Sequence, residues 1–551
     1  MPLSSEIETD TIIIGNGPSA LLLSYILHGH IPRYIQDPPH PDPLLHAKLK
    51  DSPQLLSCDI DRLTEHFAAS RISYSTQALP LNVLLDTLVR PNAEVDDTEK
   101  DTNVEWCYAP EKAVPHLVFG DTPHPGGQWV DNPVAASWDI QTLSYAGMLG
   151  LPGYSFAEHY RKSTGKELPP FTRPTRREVA DYFVAYPAAV GIESVIRCGE
   201  TLAKISRTVD GFYVGSHGIR CKRLVLASGI FSEVIQPPPL LQPLASLHPP
   251  SSKRQDAPLL VIGSGFSAAD VIISAPKDQK IIHLFKWDPD NRPSPLRACH
   301  QQAYPEYAGV YRLMKRAALV LGSQSTNRPN NRRLASTSFL ESRPWDEVYE
   351  GCPNTEITQV EVNEGRATVS FRRGDGTTLT REVSGLAYAA GRRGTLRYLD
   401  NALLAEVLGK GEDSNTDGFV TGQTLRSKAM DNLEVAPDVF IVGSLTGDSL
   451  IRFAHGGCVY AASRIIPSHN GSDERASVRS SSSISTQKTP RIVPAAMNGM
   501  DGHQTPRSII SEKQSQERRK KDEDEHPQQA FAQAEKSRAS SWWASLLQML
   551  R

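Results

Sequence analysis

Cysteine is scarce in this chain of 551 residues: there are seven, and no two stand in a Cys-x-x-Cys pair. That absence excludes a zinc ribbon and a thioredoxin-like redox pair. The odd, dispersed set (Cys58, Cys107, Cys198, Cys221, Cys299, Cys352, Cys458) suits a reducing compartment. Long apolar runs are missing too: nowhere do about 18 apolar residues stand together, so no transmembrane span is expected. No basic, apolar leader opens the sequence. Residues 1–10 are acidic and a strand pattern begins at Thr11, so the expected location is intracellular, in the cytoplasm. Charge of one sign is also lacking. Lys and Arg number 59 against 62 Asp and Glu, for a net charge of −3, which speaks against a nucleic-acid binder. No Ser-His-Asp or Cys-His arrangement can be assembled, so no protein nucleophile is expected and no catalytic residue is assigned. No metal site is expected either. Hydrophobic residues make up 39% and charged residues 22%, polar enough that part of the chain is expected not to fold.

What the chain does have is two glycine fingerprints about 250 residues apart. The first is Thr11-Ile-Ile-Ile-Gly15-Asn-Gly17-Pro-Ser19-Ala20. The second is Leu259-Leu-Val-Ile-Gly263-Ser-Gly265-Phe-Ser267-Ala268. Each runs an apolar strand into Gly-x-Gly-x-x-Ala and then a helical segment, the turn that sets a pyrophosphate on a helix N-terminus. Two such turns predict two dinucleotides facing each other, a flavin and a nicotinamide. The expected fold is α/β, with two Rossmann-like dinucleotide-binding domains of the two-domain flavoprotein type.

In the first unit a strand at 11–15 and a helix at 18–27 are followed by a predicted strand at 33–36. This ends at Asp37, about 20 residues past Gly15, where the fold sets a carboxylate against ribose hydroxyls. Otherwise Asp37 is a turn residue before Pro38-Pro39. Residues 92–103 read as an acidic surface insertion. The paired glycines of Gly126-Gly127-Gln128-Trp129 let backbone approach a flat ligand, and Trp129 either covers a ring or fills core. Proline-rich residues 236–250 read as a linker. In the second unit the strand at 280–285 ends at Lys286. A cation there favours the 2′-phosphate of NADP over NAD, with Arg292 the alternative; Lys286 is otherwise an ordinary surface charge. Asp270 reads as an acid near a helix N-terminus. A meander over 355–383 and a buried strand over 386–391 follow.

Gly447-Asp448 is the third cofactor signal, its carboxylate aimed at the flavin's ribityl or pyrophosphate region or serving as a helix cap. His455 follows, and a lone histidine is more often structural than titrating. The expected domains are residues 8–235 with 386–466 for FAD, 255–385 for NADPH with an inserted helical segment, and 467–551 as a disordered tail. The tail's end carries Trp542, Trp543, Leu546 and Leu547, a short helix able to touch a membrane surface or a protein.

The order of these motifs resembles the class B flavoprotein monooxygenases. More closely, the chain resembles the oxidative stress-induced growth inhibitor family. The likeness lies in IIIGNGPS from Ile12, PGGQW from Pro125, MLGLPG from Met148, YPEY from Tyr304, LTGDSLIRF from Leu445, and Gly456-Gly457. It implies an FAD-bound, NADPH-linked oxidoreductase of monooxygenase type, tied to growth regulation and oxidative stress. Its partners are then a small-molecule substrate and O2. Carried over, Gly15, Gly17, Ser19, Ala20, Asp37, Gly127, Trp129, Gly447 and Asp448 would hold FAD. Gly263, Gly265, Ser267 and Lys286 would hold NADPH. One departure stands out. The Phe-x-Gly-x-x-x-His signature between the glycine loops is missing, because residues 227–237 hold no histidine, and Baeyer–Villiger chemistry is not expected. The rival readings are an uncoupled NADPH oxidase making hydrogen peroxide and a redox-sensing regulatory flavoprotein without turnover. A disulfide reductase is disfavoured by the missing cysteine pair.

Overall fold

The structure is a computed structural model that describes residues 7–70, 74–75, 77–91, 102–132, 134, 136–247, 257–322, 338–363, 365–409 and 417–467. Up to Ile466 these lie in one compact unit. Most of the predicted acidic insertion (92–101) and the predicted tail from 468, with Trp542, Trp543, Leu546 and Leu547, lie outside the described residues.

β1 (Ile7–Ile14) is buried along its last four residues, as a strand inside a doubly covered parallel sheet must be. It runs into α1 (Pro18–Leu27), which opens on a proline and is buried from Ala20 to Leu27. β2 (His30–Tyr34), α2 (Pro80–Val89) and β3 (Val104–Tyr108) come next; β2 pairs antiparallel with β3 in a two-stranded sheet of its own and is bridged at Arg33 by Gln54. The neighbour of β1 is β4 (His116–Gly120), parallel, with Thr11 opposite His116. Residues 28–115 are thus an insertion between α1 and the second strand of the parallel sheet. The strand expected at 33–36 exists but stands outside that sheet.

α3 (Arg176–Val190) is closed by a Thr175–Glu178 capping box and by Gly191 in the left-handed region. β5 (Ile196–Cys198), the hairpin β6 (Ile205–Thr208) and β7 (Gly211–Val214), β8 (Ile219–Leu226) and β9 (Glu233–Val234) follow. β8 is the other parallel neighbour of β1.

The second unit comprises β10 (Leu259–Ile262), α4 (Phe266–Ser274), β11 (Ile281–Phe285), α5 (Pro305–Gly322) and β12 (Tyr349–Pro353). The predicted meander is there as β13 (Glu356–Asn363), β14 (Arg366–Arg372) and β15 (Thr378–Val383), all antiparallel. β16 (Gly385–Tyr388) lies parallel to β10, in the order β12-β11-β10-β16. This moves the expected boundary at 386: the strand there is hydrogen-bonded into the second sheet, and the chain leaves that sheet after Tyr388. The predicted linker is also partly packed, with Leu241 and Leu244 buried against Leu260 and Ile282.

β17 (Arg392–Thr395) lies between β9 and β18 (Phe419–Val420), so the outward and return crossings pair with each other. β19 (Glu434–Ala436) and β20 (Val439–Ile441) complete the first sheet, whose order is β19-β20-β8-β1-β4-β5. α6 (Ala454–Ile465) then packs on α1 and α2. Both glycine turns sit at the carboxyl ends of their parallel strands, where open α/β sheets bind ligands.

Candidate dinucleotide sites

The glycines of the first turn have different duties. Gly15 has φ +114°, and a Cβ there would lie 2.4 Å from the Ala227 carbonyl oxygen, so it lets β1 close on the end of β8. Gly17 caps α1 without any side-chain acceptor for the first-turn N–H groups, and a Cβ on it would meet nothing within 4 Å. Gly127, at φ +56°, brings its own backbone against Gly17: an added Cβ would be 3.1 Å from the Gly17 Cα. Bare backbone on both sides of an uncapped helix end is a cradle fitted to a pyrophosphate.

Asn16 pins this loop. Its Oδ1 accepts from Thr122 Oγ1 at 2.8 Å, and its Nδ2 donates to the His124 carbonyl at 3.2 Å. Ala20 is core, and Gly443 leaves room for Ser19, whose Oγ would be 2.5 Å from a Cβ there. Trp129 is half-buried, its ring 6.2 Å from that of Phe183.

Two acids stand differently from expectation. Asp37 is exposed beyond β2, which is not hydrogen-bonded to β1, so it does not stand at the ribose position of the parallel sheet. Asp121 does: it is the residue after β4, exposed, five residues before Gly126. Asp448 is buried, and its carboxylate is occupied by protein. Oδ1 accepts from Arg426 at 2.7 Å, and Oδ2 accepts from the Leu79 N–H and from Asn82 Nδ2, each at 2.8 Å. It anchors α2 rather than presenting a free carboxylate. Gly447, at φ +92°, has no room for a side chain, since a Cβ would lie 2.7 Å from Arg426 Cδ and 2.8 Å from the Gly422 carbonyl oxygen.

Arg452 repeats the device of Asp448. It is buried and donates twice to Asp86 on α2, at 2.8 and 2.5 Å. The Gly457 N–H donates to Asn82 Oδ1 at 2.9 Å, and a Cβ on Gly456 would fall 2.4 Å from the Leu81 carbonyl oxygen. The GD-x-x-x-RF and Gly-Gly motifs therefore lock α6 to α2. His455 is buried in this packing beside Trp106, and burial, with Arg90 nearby, pushes its pKa down to about 3, so its ring is neutral.

The second turn is built like the first. Gly263, at φ +145°, approaches the Ala389 carbonyl oxygen, 2.4 Å from where a Cβ would be. Gly265 caps α4 with no side-chain acceptor, and Ser267 is half-buried in the first turn of that helix. His283 on β11 bridges the Gly263 carbonyl (2.7 Å) and the Tyr349 hydroxyl (2.8 Å), and burial pushes its pKa down to about 4. Lys286 stands exposed one residue beyond β11, the parallel neighbour of β10.

Between the two turns lies a polar junction. Tyr304 donates to the Leu143 carbonyl at 2.8 Å, Glu306 pairs with buried Arg173 at 2.5 Å, and Tyr307 donates to Asp270 Oδ1 at 2.8 Å. The YPEY motif thus clasps α5 to the first unit and to α4. Burial pushes the Asp270 pKa up to about 6, against the Tyr307 hydrogen bond and the charges of Arg176 and Arg392. Neither arginine, nor Asn16, Asn82, Asp121 or Arg426, is singled out by sequence reasoning; of these, only Asp121 carries a local signal, an acid between a strand and the Gly-Gly-x-Trp turn. A hollow of about 480 Å³, lined by Ile7, Thr9, Leu27, His28, Pro115 and Val195 among others, opens at the amino end of β1, away from both turns. Among the described residues no group of His, Cys, Asp and Glu is arranged to hold a metal, and no helix is long and apolar enough to cross a membrane.

Two sheets built on parallel cores, each with an uncapped Gly-x-Gly-x-x-Ala turn at its carboxyl edge, and paired strands crossing between them, define a two-domain α/β protein of Rossmann-like type. Among solved structures it is similar to a flavin-containing monooxygenase from Stenotrophomonas maltophilia (TM-score 0.42, 12% identity, 83% of this chain and 98% of that one). It is also similar to an ornithine hydroxylase from Pseudomonas aeruginosa (TM-score 0.41, 13% identity, 84% and 99%). In sequence it is similar to proteins named oxidative stress-induced growth inhibitors. The mouse growth inhibitor 1 is 26% identical over 511 residues, covering 84% of this chain and 96% of that protein. The Caenorhabditis elegans homolog is 23% identical over 515 residues, covering 85% and 97%. No protein-family model matches the chain.

Proposed function

We propose that this protein is an FAD-dependent, NADPH-linked oxidoreductase of monooxygenase type, acting on a small-molecule substrate with O2. The observation that carries this reading is the pair of bare helix N-termini, at Gly17 and Gly265, across a shared junction. Gly15, Gly17, Ser19, Ala20, Gly127 and Trp129 would hold FAD, with Asp121 rather than Asp37 in the ribose role. Gly447 and Asp448 would shape that site from behind, through Arg426 and α2. Gly263, Gly265, Ser267 and Lys286 would hold NADPH. A bound flavin would supply the redox chemistry between the nicotinamide and oxygen. The chain's own work is to orient the two cofactors and keep water from the junction. Release of hydrogen peroxide without an oxygenated product is the second reading, favoured by the lack of histidine in residues 227–237.

The purified protein should be yellow and should bleach when NADPH is added without oxygen. Gly17→Val should fold yet lose its flavin, because its side chain would fill the cradle and nothing else. Stoichiometric flavin in that variant would refute the site. Lys286→Ala should raise the KM for NADPH about tenfold and leave NADH nearly unchanged; equal effects on both nucleotides would remove Lys286 from the site. Peroxide measured against NADPH consumed separates oxidase from monooxygenase.

A further inference from the structure

Four arginines are buried among the described residues: Arg173, Arg176, Arg426 and Arg452. Three of them pair directly with a carboxylate, Arg173 with Glu306, Arg426 with Asp448 and Arg452 with Asp86. Arg176 does not. It gives one N–H to the Asn132 carbonyl at 3.2 Å and lies over the Trp138 ring, and its buried Nε donates to nothing among the described residues. Arg392 comes to the same place from β17. It donates to Gln128 Oε1 at 2.6 Å and to Asn132 Oδ1, both neutral acceptors. Burial holds both guanidiniums below their ordinary range, and the charge of Arg176 lowers Arg392 further. The acids in range are Asp270, whose proton is retained to about pH 6, and exposed Asp131. Arg176 thus keeps a buried N–H without an acceptor among the described residues, and Arg392 beside it donates to neutral oxygens, so the pair has donor capacity that an incoming anion would take up.

The place matters as much as the charge. Gln128 and Asn132 flank Trp129 in the first unit's Gly-Gly turn. Arg392 stands three residues after Ala389, whose carbonyl abuts Gly263. Residues 127–130 and 263–267 are all half-exposed, so a ligand can reach the junction. Phosphate-binding positions stand elsewhere, at the two bare helix ends and Lys286. Arginine's planar fork suits a carboxylate.

We propose that Arg176 and Arg392 form an anion-recognition subsite between the two dinucleotide turns, and that the substrate taken there carries a carboxylate. The word substrate rests on the proposed oxidoreductase function; the anion subsite itself does not.

Isothermal titration of the full chain with benzoate and with benzamide, its neutral counterpart, tests this without any turnover. Benzoate should bind at least about tenfold more tightly than benzamide, and Arg176→Gln and Arg392→Gln should each weaken benzoate about tenfold or more. Arg392→Lys should fall between Arg392→Gln and the parent, and NADP+ affinity should stay within about twofold throughout. If Arg176→Gln does not fold, the two Arg392 variants, checked by thermal melting, carry the test. Equal binding of benzoate and benzamide, or benzoate binding indifferent to Arg392→Gln, overturns the proposal. A tenfold loss of NADP+ affinity in Arg392→Gln also overturns it and assigns the anion to a nucleotide phosphate. Because calorimetry does not read flavin, a colourless chain that binds benzoate through these arginines upholds the subsite while the flavoprotein reading fails. A yellow chain that ignores benzoate does the reverse.

Discussion

At the scale of single residues, Gly15 and Gly17 sit two positions apart and answer to different constraints. A Gly15→Ala side chain would be 2.4 Å from the Ala227 carbonyl oxygen at φ +114°, so that change should cost about 2–4 kcal/mol of stability. Gly17→Val should cost far less and act on the ligand, and urea melts of the two variants separate these effects. Asp270 gives a pH signature. Its folded pKa of about 6 is above the unfolded value, so the native state holds the proton more tightly. Stability therefore falls as pH rises between about 4 and 6 and stays reduced above that range. Asp270→Asn should flatten that slope and raise the melting temperature at pH 7, with a gain on the order of 1–3 kcal/mol. A variant that melts lower at pH 7 with the same slope would show that the charge is compensated.

At the scale of elements, the contact of α6 with α2 depends on the absence of a side chain at Gly456. Gly456→Ala should push the helices apart against the Leu81 carbonyl and destabilise by about 1–3 kcal/mol. A thermal melt equal to the parent's would mean that α2 yields. This contact also marks where sequence reading stops. Both glycine turns are legible because strand, turn and helix are contiguous, and one short window holds the whole signal. Asp37 was misleading because it ends a strand at the right spacing, while strand pairing is non-local and the insertion of residues 28–115 delays the true neighbour of β1 until β4. From sequence, Asp448 reads as a flavin contact or a helix cap. Its partners Leu79 and Asn82 are 369 and 366 residues away, so sequence cannot separate a ligand from a lock. Arg176 and Arg392 carry no local pattern, and their meaning lies in which buried arginines have carboxylate partners.

At the scale of the whole molecule, the described crossings, the YPEY clasp and the Arg173–Glu306 pair hold the two sheets' glycine turns toward one junction. Glu306→Ala leaves Arg173 buried without its carboxylate and should cost about 3–5 kcal/mol. The double change Arg173→Met with Glu306→Leu should recover most of it. A single variant as stable as the parent would show that water replaces the pair. The locks of α6 on α2 have a consequence for biosynthesis. β20, Asp448 and Arg452 leave the ribosome only after the entire second unit, whereas β1 and α2 leave it first. The second unit can close while the chain is still growing, but the first must wait, its apolar helix α1 uncovered, Asp86 without Arg452 and Asn82 without Asp448, until the last described helix arrives. The amino-terminal third of the described chain is therefore the first to be made and among the last to find all its partners.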